Sequence, residues 1–311
     1  MNSVRARGAA GLTKPLLTSD DVSYERVWVQ RPHHFWRRLL ETRLVGTGLV
    51  VLTLVVVCAL AAPLIAPYAP NEQDYLALTD PPSLAHPLGT DDIGRDVLSR
   101  IIYGSRVSLE VGLIAVGIAL AVGVCFGLVA GYAGGPADDA IMRIVDAIQA
   151  FPNLILALAI TAALGANIAN AMLAIGFVAM PGIARLTRGQ TLSVREREFV
   201  AAARACGATP LGILRLHILP NITAPIIVQA TLLMGTAIVT EAALSFLGVG
   251  VQPPTPSWGA MLRTGSQYLE VAPWIGVASG AAIFVTVLAI NFVGDGLRRA
   301  LDPRLAGRQR Q

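Results

Sequence analysis

Charge is what this chain has least of. Only 14% of its 311 residues are Asp, Glu, Lys or Arg and 54% are hydrophobic, whereas a soluble globular chain carries about 25% charged residues. A water-soluble enzyme of ordinary design is disfavoured. The mean hydropathy of +0.61 excludes disorder, because so apolar a chain has ample surface to offset the entropy of ordering. Lysine occurs once, as Lys14 in a polar arm, and no G-x-x-x-x-G-K-[ST] stretch is present. Without a phosphate-cradling loop the chain cannot hydrolyse ATP itself. Three cysteines, Cys58, Cys125 and Cys206, lack C-x-x-C spacing, so they indicate neither a disulfide framework nor a zinc site and read as small apolar fillers. The histidines His33, His34, His86 and His217 are scattered and read as solvated rather than as metal ligands. No Ser/His/Asp or Cys/His set recurs at a common membrane depth, so no catalytic residue is assigned. The net charge of +4 does not point to nucleic acid, because the basic residues flank apolar runs instead of forming a patch.

What is present is a series of long apolar runs. Residues 44–66 carry no charge and would extend about 34 Å as a helix, enough for a hydrocarbon core of about 30 Å. A signal peptide is the rival reading, but the preceding 43 residues are too many for an n-region. Residues 107–132 form the second span and end at a Gly-rich breaker. Residues 141–186 are too long for one crossing and read as two spans joined at 165–170, the earlier containing Pro152, which neighbouring helices can accommodate. Residues 222–247 and 273–293 bring the number to six. Asn221 and Thr223 are placed to cap the fifth span, with Pro225 in its first turn.

Sorting the charges gives an orientation. The arm up to Arg43 holds eight basic residues, residues 185–215 hold six and residues 298–310 hold five, together 19 of 24. Six crossings place these segments on one side, and the positive-inside rule makes that side the cytoplasm. Residues 67–105 hold six acids against Arg95 and Arg100 and fall outside. The expectation is an N-in, C-in membrane protein with a cytoplasmic arm (1–43, partly disordered), a six-helix domain (44–297) and a cytoplasmic tail (298–311).

Residues 195–221 (REREFVAAARACGATPLGILRLHILPN) are too polar to cross a membrane and too helical in composition for a plain loop. Ala201, Ala202 and Ala203 favour helix, Gly207 permits a left-handed turn, Thr209 and Pro210 restart a helix, and Pro220 ends it. The apolar positions Leu211, Ile213, Leu214 and Leu216 are too few for a core and suggest docking on another surface.

This hairpin resembles the EAA loop of ABC importer permeases: an alanine triplet at 201–203, a glycine four residues on, and a closing Leu219-Pro220. The family's glutamate is replaced by Ala201, with Glu198 nearby, and His217 stands where an isoleucine is common. HPLGTDDIGRDVLSRIIYGSRVSLEVG (86–112), TEAALSFLGVGVQPPTPSWGAML (240–262), GDGLRRALDPRL (294–305) and FWRRLLETRL (35–44) resemble the C-type permease subunit of dipeptide, oligopeptide and nickel importers.

The resemblance implies an all-α, type I importer permease (MetI-like) fold in the bacterial inner membrane. It implies a homologous second permease, two cytoplasmic subunits that bind ATP and Mg and dock on the hairpin, an extracytoplasmic solute-binding protein, and alternating access. Glu198, Ala201, Ala202, Ala203, Gly207, Pro210, Leu219 and Pro220 are the expected coupling residues; no cofactor or metal is expected in this chain. Peptide import is the leading reading, with nickel or glutathione import, or a gradient-driven carrier, as alternatives.

Other polar residues have plainer explanations beside functional ones. Asp91, Asp92, Arg95, Asp96 and Arg100 could form a peptide-terminus or cation site, but their spacing also suits a solvated interfacial helix with its own ion pairs. Glu241 and Asn291 are polar at membrane depth and hence functional candidates. Packing against a partner permease would explain Glu241, and local pairing with Arg298 and Arg299 would serve Asn291 and Asp295. Trp258, Trp274 and Tyr268 read as interfacial anchors.

Overall fold

A computed structural model describes residues 43–301; the expectations for the arm and for the tail beyond residue 301 lie outside them. The described residues form helices α1 (Arg43–Leu60), α2 (Val97–Ala133), α3 (Gly135–Gln149), α4 (Asn153–Leu164), α5 (Ile168–Arg195), α6 (Glu198–Ala205), α7 (Leu219–Phe246), α8 (Trp258–Gln267) and α9 (Pro273–Leu301). The long apolar helices α1, α2, α5, α7 and α9 fall at the expected spans, and each is long and apolar enough to cross a membrane.

The expected third span differs. Pro152 has no amide proton and disfavours helix in the residue before it, so the run divides into α3 and α4, bent by 88°. With 12 residues, α4 extends only about 18 Å and cannot cross a core of about 30 Å alone. A sixth crossing exists only if the bent pair makes it together. The turn read at 165–170 is present: Gly165 takes φ +101°, and the Asn167 side chain caps α5 by accepting from the Asn170 amide.

The centre of the bundle is the parallel pair α2 and α5. Gly123, Gly127 and Gly131, three residues of α2 spaced by four, face the backbone of α5; a Cβ on them would lie 2.8 Å from the Met180 carbonyl oxygen, 2.5 Å from that of Ala184 and 2.9 Å from that of Arg188. Gly176 of α5 returns the contact at 2.8 Å from the Ala115 carbonyl oxygen. Small residues let the two backbones approach where lipid offers no hydrophobic drive to associate. Helix α7 lies antiparallel to α2, with Met234 and Ile238 against Gly112 and Ile222 packed with Leu128 and Tyr132. Helix α9 runs back along α7, Gly294 meeting Thr231 and Leu232, and α1 closes on α9 where Gly48 meets Ala289 and Phe292.

These contacts bring residue 43, residues 195–221 and residue 301 to one end of the bundle, the hairpin end, and residues 61–96 and 247–272 to the other, the loop end. Arginines cap helix C-termini along the way. Arg195 Nη1 donates to the Gly131 carbonyl at 2.8 Å, and Arg106 donates to the carbonyls of Ala59 and Leu60, each cation meeting the negative end of a helix. Two ion pairs tie the amphipathic α3 to α5: Arg188 grips Asp138 with two bonds of 2.6 Å, and Arg185 meets Asp146 at 2.5 Å.

Candidate functional site

The hairpin is built as its sequence suggested through Pro210. Helix α6 ends in a Schellman arrangement: Gly207 takes φ +81°, its amide donates to the Arg204 carbonyl, and the Ala208 amide reaches back to Ala203 at 3.0 Å. A residue with a Cβ would be strained there. Thr209 then caps the next turn by accepting from the Gly212 amide at 3.2 Å, with Pro210 at the first helical position.

Beyond Pro210 the structure differs. Pro220 does not end a helix: residues 213–218 form a π-helical turn that runs into α7, with Leu219 and Pro220 in the first turn of α7. The widened turn accommodates a proline ring that would crowd the Leu216 carbonyl of a regular helix. Asn221 and Thr223 consequently cap nothing. Their side chains donate back to the carbonyls of His217 and Leu219 at 2.7 Å, and Pro225 lies inside the helix.

The hairpin has two faces. Val200, Ile213, Ile218 and Ile222 are buried and join Val194 and the α2 residues Leu128 and Tyr132 in one apolar cluster. Arg204 stacks over the Tyr132 ring at 5.3 Å. Ile213 and Leu214, expected on the docking surface, therefore turn inward. Leu211 and Leu216 remain 74% and 69% exposed, beside exposed Glu198, Ala201, Ala202 and Pro220, with Ala203 and Leu219 half-buried. The hairpin is thus anchored on the bundle by one side and exposes on the other two leucines among charged residues that include Glu198 and Arg215. Cys206 lies on it, exposed, and Cys125 is exposed on α2, so neither fills a core.

Glu241 and Asn291 are not brought together. Glu241 is fully buried within its own chain, where Oε1 accepts from Ser245 Oγ at 2.7 Å and Ser245 Oγ accepts in turn from the Val251 amide at 2.9 Å. It fastens the end of α7 to the following turn and does not face a partner permease. Asn291 lies exposed on α9, lining a shallow apolar groove with Val239 and Phe284. Among the described residues, Asp295 forms no ion pair with Arg298 or Arg299.

At the loop end, residues 91–96 form turns instead of a solvated helix, and Asp91, Asp96 and Arg100 are buried. Asp91 Oδ1 accepts from the amides of Ile93 and Arg95, while Oδ2 pairs with Arg95 Nε at 2.6 Å and lies 3.7 Å from Arg100 Nε. Asp96 caps α2, accepting from the Ser99 amide at 2.7 Å, and its other oxygen meets His86 Nδ1 at 3.0 Å; His86 is thus partnered, not solvated. Trp258 and Trp274 are pins rather than lipid anchors, their indoles donating to the carbonyls of Ile101 and Thr90. The carboxyl of Asp92 is pushed above the usual carboxylate range by burial first and by the charge of Asp91 second.

Two groups of residues escaped sequence reasoning. The Gly123, Gly127, Gly131 ladder carried a readable signal, the small-xxx-small repeat. Arg263, lining a cavity with Arg95 and Arg100, carried only a weak one, as an arginine in a short helix with no neighbouring acid.

The fold and its projecting hairpin define a multi-pass helical membrane protein of the transport-permease class. Residues 123–307 match the family described as the binding-protein-dependent transport system inner membrane component, and residues 33–82 match the N-terminal transmembrane domain of oligopeptide transport permease C. The chain belongs to the first family and is a permease subunit of an ABC importer in the bacterial inner membrane. It is 46% identical over 277 residues, 87% of its length and 91% of the relative's, to the di/tripeptide transport system permease protein DppC of Pseudomonas aeruginosa (strain UCBPP-PA14). It is 45% identical over 302 residues, 97% of its length and 98% of the relative's, to the glutathione transport system permease protein GsiD of Escherichia coli O6:K15:H31 (strain 536 / UPEC). A chain of the MetNI methionine ABC transporter in an inward-facing conformation shares the fold, with a TM-score of 0.54, 21% identity and coverage of 65% of this chain and 96% of that one.

Proposed function

We propose that this chain is one half of the translocation path of an ATP-driven peptide importer. A homologous permease completes the path, an extracytoplasmic binding protein delivers the solute, and two ATP-binding subunits, which hold the nucleotide and Mg, dock on residues 195–221. The hairpin end then faces the cytoplasm, with the arm (1–43) and tail (298–311) beside it, in keeping with the 19 basic residues in 1–43, 185–215 and 298–310. The observation that carries this reading is the hairpin itself: Leu211 and Leu216 exposed on a projection whose other face is locked into the ends of α2, α5 and α7. Closure of the ATPase pair would displace it as a lever, and α5 and α7, which it joins, would reorient the path by alternating access.

The test is Gly207→Pro in the reconstituted transporter. Proline fixes φ near −65° and cannot adopt the +81° found here, so the turn is lost while membrane insertion is retained. Solute uptake and binding-protein-stimulated ATP hydrolysis are expected to fall by an order of magnitude or more; normal coupling would refute the lever. Glutathione is the second reading for the solute, motivated by the relative of that name, which matches nearly the whole chain. Competition between labelled dipeptide and glutathione for uptake separates the two.

A further inference from the structure

The cluster at the loop end encloses a cavity of about 240 Å³, lined by Asp91, Arg95, Arg100 and, from the other side, Arg263 of α8 and Gln252 of the preceding loop. Three guanidiniums face one carboxylate there, and counting Asp92, 3.8 Å from Arg95, the balance remains positive. This happens within an otherwise acidic loop, so the positive sign belongs to the cavity and not to the surface around it. Asp91 bonds Arg95 at 2.6 Å but lies 3.7 Å from Arg100 Nε, close enough for an ion pair and too far for a hydrogen bond. Arg100 is 4% exposed; Nη1 donates to the Pro70 carbonyl at 2.8 Å, but Nε is buried without a hydrogen-bond partner. Arg263 lies against Gly248 and forms no ion pair with any described residue. A buried cationic donor without an acceptor is costly, and a planar guanidinium fork is shaped for a carboxylate.

We propose that this cavity is a carboxylate site, filled by an acidic side chain of the extracytoplasmic binding protein; this rests on the importer reading above. Its size argues for the occupant. Pockets for drug-sized ligands run from about 300 Å³ upward, so this space suits a small carboxylate such as one Asp or Glu side chain. Its surroundings agree: the Asp74 carbonyl packs on Gly94 in the turn that carries Asp91 and Arg95, and the adjoining Tyr75 and Leu76 are 70% and 96% exposed. An apolar patch beside a cationic socket is a surface on which a protein can dock.

The experiment uses the complete transporter in nanodiscs and its binding protein, measuring the binding-protein concentration that half-saturates stimulated ATP hydrolysis across a salt series. Arg263→Gln is expected to raise that concentration about ten-fold and flatten its salt dependence, and Arg263→Lys to recover part of the loss, since the charge remains but the fork does not. A purely structural role for Arg263 would leave the salt dependence unchanged. Unchanged half-saturation in Arg263→Gln would overturn the site. So would competition by free dialanine that dialanine amide fails to reproduce, because the carboxylate would then come from the solute. If the wild type shows no stimulation by binding protein at all, the importer reading fails, and the site's occupant with it.

Discussion

The two ends of this bundle are made differently. The loop end is cross-linked: Asp91 accepts from two amides and a guanidinium, Asp96 joins a helix cap to a histidine, and two indoles are pinned to backbone carbonyls. The hairpin end keeps one small apolar cluster and leaves two leucines facing out. The loop end holds its shape by hydrogen bonds and ion pairs and keeps an unpartnered arginine donor within them, whereas the hairpin end keeps its shape by apolar packing and leaves an unfinished apolar surface. The contrast could not have been drawn from hydropathy, which rates both ends as polar interruptions between spans.

The sharpest way to break the comparison is to charge the hairpin. Replacing Leu211 and Leu216 together by Asp is expected to weaken association with the ATP-binding subunits by on the order of 100-fold, since buried apolar anchors dominate such interfaces. The thermal unfolding of the isolated permease should not change, because neither side chain is buried in it. Co-purification and a melting curve measure the two halves of this statement, and a stability loss as large as the binding loss would erase the distinction between the ends.

The converse belongs to the loop end. Asp91→Ala leaves Arg95 and Arg100 buried without their carboxylate, which is expected to cost about 3–5 kcal/mol. Chemical denaturation of the purified permease would register it, and a cost below about 1 kcal/mol, as for an exposed pair, would show the cluster to be loosely solvated after all.

The smallest effect concerns Asp92. An acid whose pKa is raised by folding stabilises the fold below its unfolded value, and that contribution disappears as pH rises through the raised one. Burial and Asp91 raise it here, so Asp92→Asn is expected to increase the unfolding temperature slightly at neutral pH. The gain should vanish as pH falls below the range of a free carboxyl. A mutant less stable at neutral pH would mean that the 3.8 Å approach of Arg95 outweighs the burial.

How much of this was legible in the sequence depended on the range of the interaction. Helix existence followed from long apolar runs, and the Gly207 turn with its Thr209 and Pro210 restart followed from local backbone rules, so both were readable and both formed. The break at Pro152 was visible, but the choice between a kinked span and two separate helices depends on neighbours that a linear pattern does not name. Pro220 misled because a local rule that ends helices was overridden by a π turn. Asp92 with Arg95, and Asp96 with Arg100, sit at spacings that suit a helix, and only the return of residues 70–80 over this segment decides that Asp91, Asp96 and Arg100 are buried. Glu241 is costly at membrane depth on sequence grounds alone, but a linear pattern does not choose between Ser245, one turn away, and a second subunit as its partner.

The glycine ladder between α2 and α5 has a mechanical consequence. Backbones in direct contact at three successive turns can neither roll nor slide past one another without losing that fit, so the two helices behave as a single girder. Helix α2 is 37 residues long, about 55 Å at 1.5 Å per residue. A tilt imposed where α5 ends therefore reappears at the far tip, beneath the Asp96 cap, amplified by leverage and without any change inside the shaft.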